Sequence, residues 1–376
     1  MEKELLHIRD AIFGDISLGK IEKDIIESAE FQRLRYVRQI GFGYLVYIGA
    51  NHTRFEHSIG TMKITKDVAN VLCPDNAVDL SIAALLHDVG HAPFSHTLDD
   101  VYLKYLKKTH EEIGRDMILH GPINDILVSH GMSVRKILSR FDGDGVGKII
   151  TGALGADRID YLSRDSHYTG VDYGAVDYER IRSKLALHRN MPAIYAQGVS
   201  AAESMLIARY SMWRSVYLHH TVVIAGAMLK KGVYAAVESG ELEPSLLPRF
   251  CDSDLMEELE SSNASSGIAA MIRNRKLYKR VYYVEEDGTH FKKEEIEGCL
   301  SKAGLGHMDY VVDWRSMKGD NEDIEVLDRS GKTIGKLSIM SPLVGTLSAV
   351  LNGKRIFVVA TKDGLRAKAQ AALRRL

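Results

Sequence analysis

Cysteine is scarce in this 376-residue chain: Cys73, Cys251 and Cys299 stand far apart and form no C-x-x-C pair. That argues against a disulfide framework and against a thiolate zinc site, and a reducing, intracellular setting fits best. Long apolar runs are also lacking. The longest stretches, such as Thr221 to Leu229, fall well short of a membrane span, and the charged start MEKELLHIRD has no apolar signal core. A cytoplasmic protein with no membrane partner is the expectation. Nor is either sign of charge in excess: 49 Lys+Arg stand against 50 Asp+Glu, a formal net charge of −1. No global field draws the chain to nucleic acid or anionic lipid, so any phosphate must be held by a local pocket. Low-complexity tracts and repeats are missing from the stretch after Glu238 too, and 45% hydrophobic with 26% charged residues describes a chain that folds throughout.

What is present first is helical periodicity. From Glu22 to about Leu119 apolar residues recur on one helix face, Ile25, Ile26, Ala29, Leu34 and Val37, then Ile59, Met62, Ile64 and Val68. A further helix is predicted from about Asp79 to Val89, ended by Gly90 and Pro93. Others are predicted from about Asp157 to Asp165 and, unbroken by proline, from Ser200 to about Val237. After Glu238 the texture changes. EPSLLPRF is a proline-punctuated connection, RVYYV, DYVVDW, IGKLSIM and RIFVVA are short β-rich runs, and DGLRAKAQAALRRL reads as a basic terminal helix. The expected fold is mainly α: a helical core over residues 1–240 and a smaller α+β lobe over residues 241–376.

Histidine is concentrated. Seven of the fifteen, His52, His57, His87, His91, His96, His110 and His120, fall between residues 52 and 120. Imidazole nitrogens with carboxylate oxygens and no thiolates suit a catalytic divalent metal rather than a structural zinc cluster. One histidine alone reads as a satisfied polar residue beside a core. The pair His87-Asp88 does not, because it directly follows the apolar SIAALL, and an unpaired buried carboxylate costs several kcal/mol that a metal removes.

The strings HTRFEHS (52–58), LLHDVGHAPFSH (85–96), THEEIG (109–114) and DRIDYLSRD (157–165) occur in this order. With FQRLRYVRQIGFGYLVYIGANHTRFEHSIG, and on to about residue 225, the chain closely resembles the deoxynucleotide triphosphohydrolases of the HD superfamily, the sterile-alpha-motif-and-HD-domain enzymes and their prokaryotic relatives. The resemblance implies an HD-domain helical bundle in which His57, His87, Asp88 and Asp157 hold one metal ion, with Mn, Fe, Zn, Co, Ni and Mg all open. It places His96 and Asp99 beside the scissile phosphate with His110 in the same pocket. His96, supported by Asp99, is expected to pass a proton to the leaving 5′ oxygen.

Asp157, Tyr161 and Asp165 recur at i, i+4 and i+8, with Arg164 at i+7, so one helix face can present them to one cavity; a solvated face with an internal Arg–Asp pair is the alternative. By resemblance Arg158 and Arg54 bind phosphate, while Tyr161, Asp165 and Gln39 meet the sugar. Arg209, Trp213 and Tyr217 share another helix face. Arg209 resembles a phosphate-binding arginine and Tyr217 the tyrosine near the sugar, whereas Trp213 stands where relatives commonly have histidine. In relatives switched by a guanine nucleotide an N-terminal patch binds it. Here Arg35 matches, but Leu6, Arg9 and Glu27 depart, so constitutive activity or a different activator is expected. The reading is hydrolysis of a deoxynucleoside triphosphate to deoxynucleoside and inorganic triphosphate, by at least a dimer. A phosphodiesterase or broad nucleotide phosphohydrolase stays open, as does a non-catalytic nucleotide-binding regulator.

Overall fold

A computed structural model describes residues 6–143, 145–286, 292–316, 323–351 and 355–374. The chain opens on a hairpin absent from the sequence reading: β1 (Leu6–Asp10) pairs antiparallel with β2 (Gly14–Leu18), Leu6 facing Leu18. Asp10 closes its turn by accepting the N–H groups of Ile12 and Phe13. Helices follow: α1 (Arg54–Leu72), α2 (Ala77–Leu86), α3 (His110–His120) and α4 (Ala156–Thr169). They share one core, in which Ile59, Met62 and Ile64 of α1 meet Ile82 and Leu85 of α2 and Ile159 and Leu162 of α4. Between residues 33 and 53, where helical periodicity was expected to continue, the chain makes short 3-10 turns and an extended bridge from Arg38 to Thr53.

The single long helix expected from Ser200 to Val237 is two helices. α5 (Val199–Met212) widens into a π-turn over Trp213–Tyr217 and stops; His219, in extended conformation, caps α6 (His220–Glu238) by accepting the Thr221 N–H at 3.3 Å. The π-turn ends the first helix and the histidine cap starts the second, with no proline between them.

Beyond α6 the α+β lobe begins with α7 (Asp252–Ser261). Its main sheet has the order β3-β5-β4, where β3 is Lys279–Glu286, β4 is Tyr310–Ser316 and β5 is Arg355–Thr361, all antiparallel. Two helices, Lys293–Lys302 and Arg366–Leu373, cover it with Ile296, Leu300, Ala369 and Leu373. The terminal helix is thus where the basic run lies; residues 375–376 of that run fall outside the described residues. IGKLSIM is split between a strand (Thr333–Lys336) and a helical turn (Leu337–Met340).

The fold is mainly α with a smaller α+β lobe, and the two are interleaved. Strand Met191–Tyr195 pairs in parallel with Glu325–Leu327, and Phe42, Ala92 and Phe94 share a core cluster with Val311, Val358 and Ala360. No described helix is long and apolar enough to cross a membrane.

Candidate active site

Three helices deliver the first group. His57 lies one turn into α1, whose start is fixed by Glu56 accepting the Thr53 N–H at 2.8 Å. His87 and Asp88 stand just past the last turn of α2, and Asp157 is the second residue of α4. His57 Nε2 is 3.2 Å from His87 Nε2, 3.1 Å from Asp157 Oδ1 and 3.5 Å from Asp88 Oδ2. His87 Nε2 is 3.4 Å from Asp88 Oδ1 and 3.7 Å from Asp157 Oδ1.

The far side of each ring decides what this cluster can hold. His57 Nδ1 donates to Asp160 Oδ2 at 2.7 Å, and His87 Nδ1 donates to the Ala84 carbonyl at 2.7 Å. Each neutral imidazole therefore carries its one proton on Nδ1 and turns an Nε2 lone pair inward. Two lone pairs 3.2 Å apart among carboxylates repel unless a cation lies with them. A proton can serve: burial opposes charge on His57, but hydrogen bonds to Asp157 and Asp160 push its pKa up to about 10. A divalent metal serves better, since a nitrogen- and oxygen-only donor set with the opposite ring N–H tied to a carboxylate or backbone carbonyl is what such ions select. His57, His87 and Asp88 already converge as a potential metal group. Burial also works against charge on Asp88, yet Arg54 at 2.5 Å, with His87 and His91, holds its carboxyl well below the usual carboxylate range.

Asp160 was passed over in the sequence. It lies three residues after Asp157, so both carboxylates of the DRID string reach the same imidazole, one at each nitrogen. That i, i+3 spacing beside a candidate ligand was the available signal. Arg164 was expected to face the cavity; it is instead fully buried, gripping Asp160 at 2.8 and 2.9 Å and Asp10 of the hairpin at 2.8 Å. Arg164 is thus paired internally, but with Asp160 and Asp10 in the core and not on a solvated face. Gly60 makes room for this array, because a Cβ there would overlap the Asp160 carboxylate and the Arg164 guanidinium.

A second group lies alongside. His91, His96, Asp99 and His110 bring ligand-type atoms close together, and His91 stacks on His110 with centroids 3.9 Å apart. Gly90 permits this, since a Cβ there would overlap the His110 carbonyl and the Gly114 N–H of α3. His96 Nδ1 is 3.0 Å from Asp99 Oδ2, and His110 Nδ1 is 3.4 Å from Asp99 Oδ1. Burial works against the Asp99 charge, but these two histidines hold its carboxyl far below the usual range. His91 Nε2 meets Asp88 Oδ1 at 3.2 Å, linking the groups; burial and Arg54 keep His91 neutral. His91 was not singled out in the sequence.

The remaining expected residues surround these groups. Arg54 is buried, bound to Asp88 and to Ser95 Oγ at 2.9 Å. The side-chain oxygen of Gln39 is buried with no hydrogen-bond partner among the described residues. Arg209 and Arg158 lie close to the phenol of Tyr161, whose pKa is raised by burial against their pull. Both oxygens of Asp165 are engaged, by His52 Nε2 at 2.6 Å and by Tyr217 Oη at 2.6 Å, so the carboxylate fixes the Tyr217 phenol. Trp213 packs edge-on to Tyr217 and against a small cluster of Leu218 and Ile356.

Residues 54–165 match the HD domain and residues 176–376 the HD associated region. The chain belongs to the HD-domain superfamily of phosphohydrolases, whose metal dependence the histidine–aspartate groups match. Its relatives place it further. It is 41% identical over 279 residues to an uncharacterized protein of Methanocaldococcus jannaschii, covering 73% of this chain and 59% of that one. It is 35% identical over 400 residues to the uncharacterized protein YwfO of Bacillus subtilis, covering 93% and 88%. A third relative is the deoxynucleoside triphosphate triphosphohydrolase SAMHD1 homolog of Dictyostelium discoideum, 27% identical over 356 residues, 83% of this chain and 67% of that one. This chain thus spans less than two thirds of the archaeal relative's length. Among solved structures, a hypothetical protein from Aquifex aeolicus superposes with a TM-score of 0.81 at 29% identity, covering 98% of this chain and 100% of that one.

Proposed function

We propose that this chain hydrolyses deoxynucleoside triphosphates to deoxynucleoside and inorganic triphosphate, with residues 1–240 as the catalytic unit and at least a dimer as the working assembly. The observation that carries the reading is the pair of Nε2 lone pairs 3.2 Å apart, each fixed by a donor bond on the other ring nitrogen, directly beside the His96–Asp99 pair. The likeness to the Dictyostelium triphosphohydrolase supports the substrate class.

His57, His87, Asp88 and Asp157 would hold one divalent ion, Mn, Fe, Zn, Co, Ni or Mg. When bound, such an ion supplies a Lewis acid for a phosphoryl oxygen and lowers the pKa of a water. The chain's own groups do the rest. Water oxygen forms its bond to the α-phosphorus as the bond to the 5′ oxygen breaks. His96, kept in orientation by Asp99 with His110 alongside, gives its proton to that oxygen. Arg158 and Arg209, both beside Tyr161, would meet phosphate charge, and Arg54 would share its guanidinium between Asp88 and the phosphates. Gln39 offers an unpaired buried oxygen to the sugar. Tyr161 and Tyr217 wall the sugar, the second held by Asp165, so that a 2′ hydroxyl finds a phenol in its place.

Purified protein incubated with each dNTP, each NTP and bis(p-nitrophenyl) phosphate, with Mn, Mg, Fe, Co, Ni or Zn added, tests the proposal. Inorganic triphosphate released from dNTPs and not from NTPs is expected, with only slow cleavage of the activated diester. Diester cleavage alone would mark a phosphodiesterase, and binding without turnover a regulator; either overturns the reading.

A further inference from the structure

The His96 loop is held from outside the catalytic unit. Phe94 and Ser95, immediately before His96, both adopt left-handed backbone conformations (φ 56° and 54°), which residues with a side chain avoid. Two neighbouring residues in that region do not stay there unaided. Two residues of the C-terminal half, and a clamp from Arg33 that reaches across to it, meet this stretch. Asp252, at the first turn of α7, accepts the Phe94 N–H at 2.7 Å through one oxygen; through the other it accepts the Arg38 N–H at 3.2 Å and meets the Arg38 guanidinium at 3.4 Å. Arg315 of β4 donates to the His96 carbonyl at 3.1 Å. Arg33 donates to the carbonyls of Val89 and His91 on the loop and of Phe250 next to α7, clamping the two together.

Asp252 also ties the loop to the site's other wall. Ser95 Oγ donates to the Arg38 carbonyl at 2.6 Å and accepts from Arg54 Nε, so the backbone of Arg38 sits between Asp252 and the residue that anchors Arg54. A buried carboxylate is an expensive way to satisfy two N–H groups. Burial raises the Asp252 carboxyl to about 6, against the pull of the Phe94 and Arg38 N–H groups and the Arg38 charge. The charged and titratable groups around it are Arg33, Arg38 and Tyr44, with Cys251 and Asp254 on its own segment. Keeping a charge there costs folding free energy; the return lies in where it holds the loop.

We propose that Asp252 and Arg315 are positioning residues for His96, making the C-terminal lobe a working part of the catalytic site. The proposal rests on the reading of His96 as the proton carrier to the leaving oxygen. Neither residue touches substrate. They set the angle at which the imidazole meets the 5′ oxygen.

The test compares the full chain with Asp252→Asn and Arg315→Ala on two kinds of ester. A deoxynucleoside alkoxide needs a proton to leave; the nitrophenolate of bis(p-nitrophenyl) phosphate does not. For dNTP hydrolysis kcat is expected to fall about 10- to 100-fold in Asp252→Asn and about 3- to 10-fold in Arg315→Ala, with KM and bound metal within about twofold. On the diester the losses shrink to less than about twofold. The melting temperature of Asp252→Asn at pH 7 is expected to hold or rise. Arg315 is part-exposed, so its variant carries the test should Asp252→Asn fail to fold. Ring-nitrogen NMR of labelled histidine, read without turnover, separates this proposal from the dNTP reading. The His96 signals are expected to shift in both variants, while those of His130, which bonds Asp24 elsewhere, stay. Unmoved His96 signals, or equal losses on both esters, overturn the proposal even if dNTPs prove to be the substrate.

Discussion

The two histidine–carboxylate groups of this site are neighbours joined through Asp88 and His91, yet they are built on opposite plans. His57, His87 and Asp157 are fixed by helix ends, by backbone carbonyls and by a buried Asp160–Arg164–Asp10 chain, and the His57 side chain is 0% exposed. His96 stands after two left-handed residues on a loop, 59% exposed, with its backbone latched from the distant lobe. On the proposed function, the difference is a division of labour. A metal needs donors that do not move, whereas a proton carrier has to meet a leaving group whose position is set only when substrate arrives.

The comparison breaks most visibly at the metal group. Asp88→Ala removes a proposed ligand and leaves Arg54 uncompensated; kcat is expected to drop by about 10³-fold or more, with metal lost on elemental analysis. His96→Ala is expected to lower kcat by about 10²-fold or more while metal content stays at the wild-type level. Metal lost along with His96 would merge the two groups into one. Asp160→Asn sharpens the contrast, since its amide keeps the shape and drops the charge. Metal affinity by titration calorimetry should weaken about 10- to 100-fold. Tyr217→Phe frees one Asp165 oxygen and removes the phenol that the proposed function sets beside the sugar. Preference for deoxy- over ribonucleotides should narrow about fivefold, the scale of one hydrogen bond.

The smallest effect is in stability. The Asp252 carboxyl is raised in the folded chain to about 6, from 3.8. The folded state therefore binds the proton more tightly than the unfolded state. That contribution is fully present below about pH 4 and is lost as pH rises to about 6, at about 1.4 kcal/mol per unit. Denaturation of wild type and Asp252→Asn from pH 4 to 7 should show this slope in the wild type relative to the variant.

The reach of the sequence followed the range of the contacts involved. Histidine and aspartate strings announce themselves because α1, α2 and α4 each carry their residues on a local period; α2 and α4 overlap the stretches predicted for them, α4 running four residues further. The hairpin at Leu6–Leu18 escaped because ten residues of alternating pattern sit beside a much stronger helical signal. The break at Leu218 and His219 escaped because its cause is a capping histidine and a π-turn rather than a proline. Asp252 and Arg315 were illegible for a different reason: they reach the His96 loop across 158 and 219 residues of chain, and nothing in their local sequence marks them.

Gly60, one turn along α1 from His57, limits how this enzyme can be remade. Retuning a metal site in the laboratory usually begins by enlarging or shrinking the residues that flank a ligand. On this flank a single methyl would collide with the carboxylate that orients His57, and through it with the arginine pinned to the N-terminal hairpin. Variation that survives selection should therefore gather on the loop and sugar-wall side, leaving the inner face of α1 as an inherited constant around which new specificities are built.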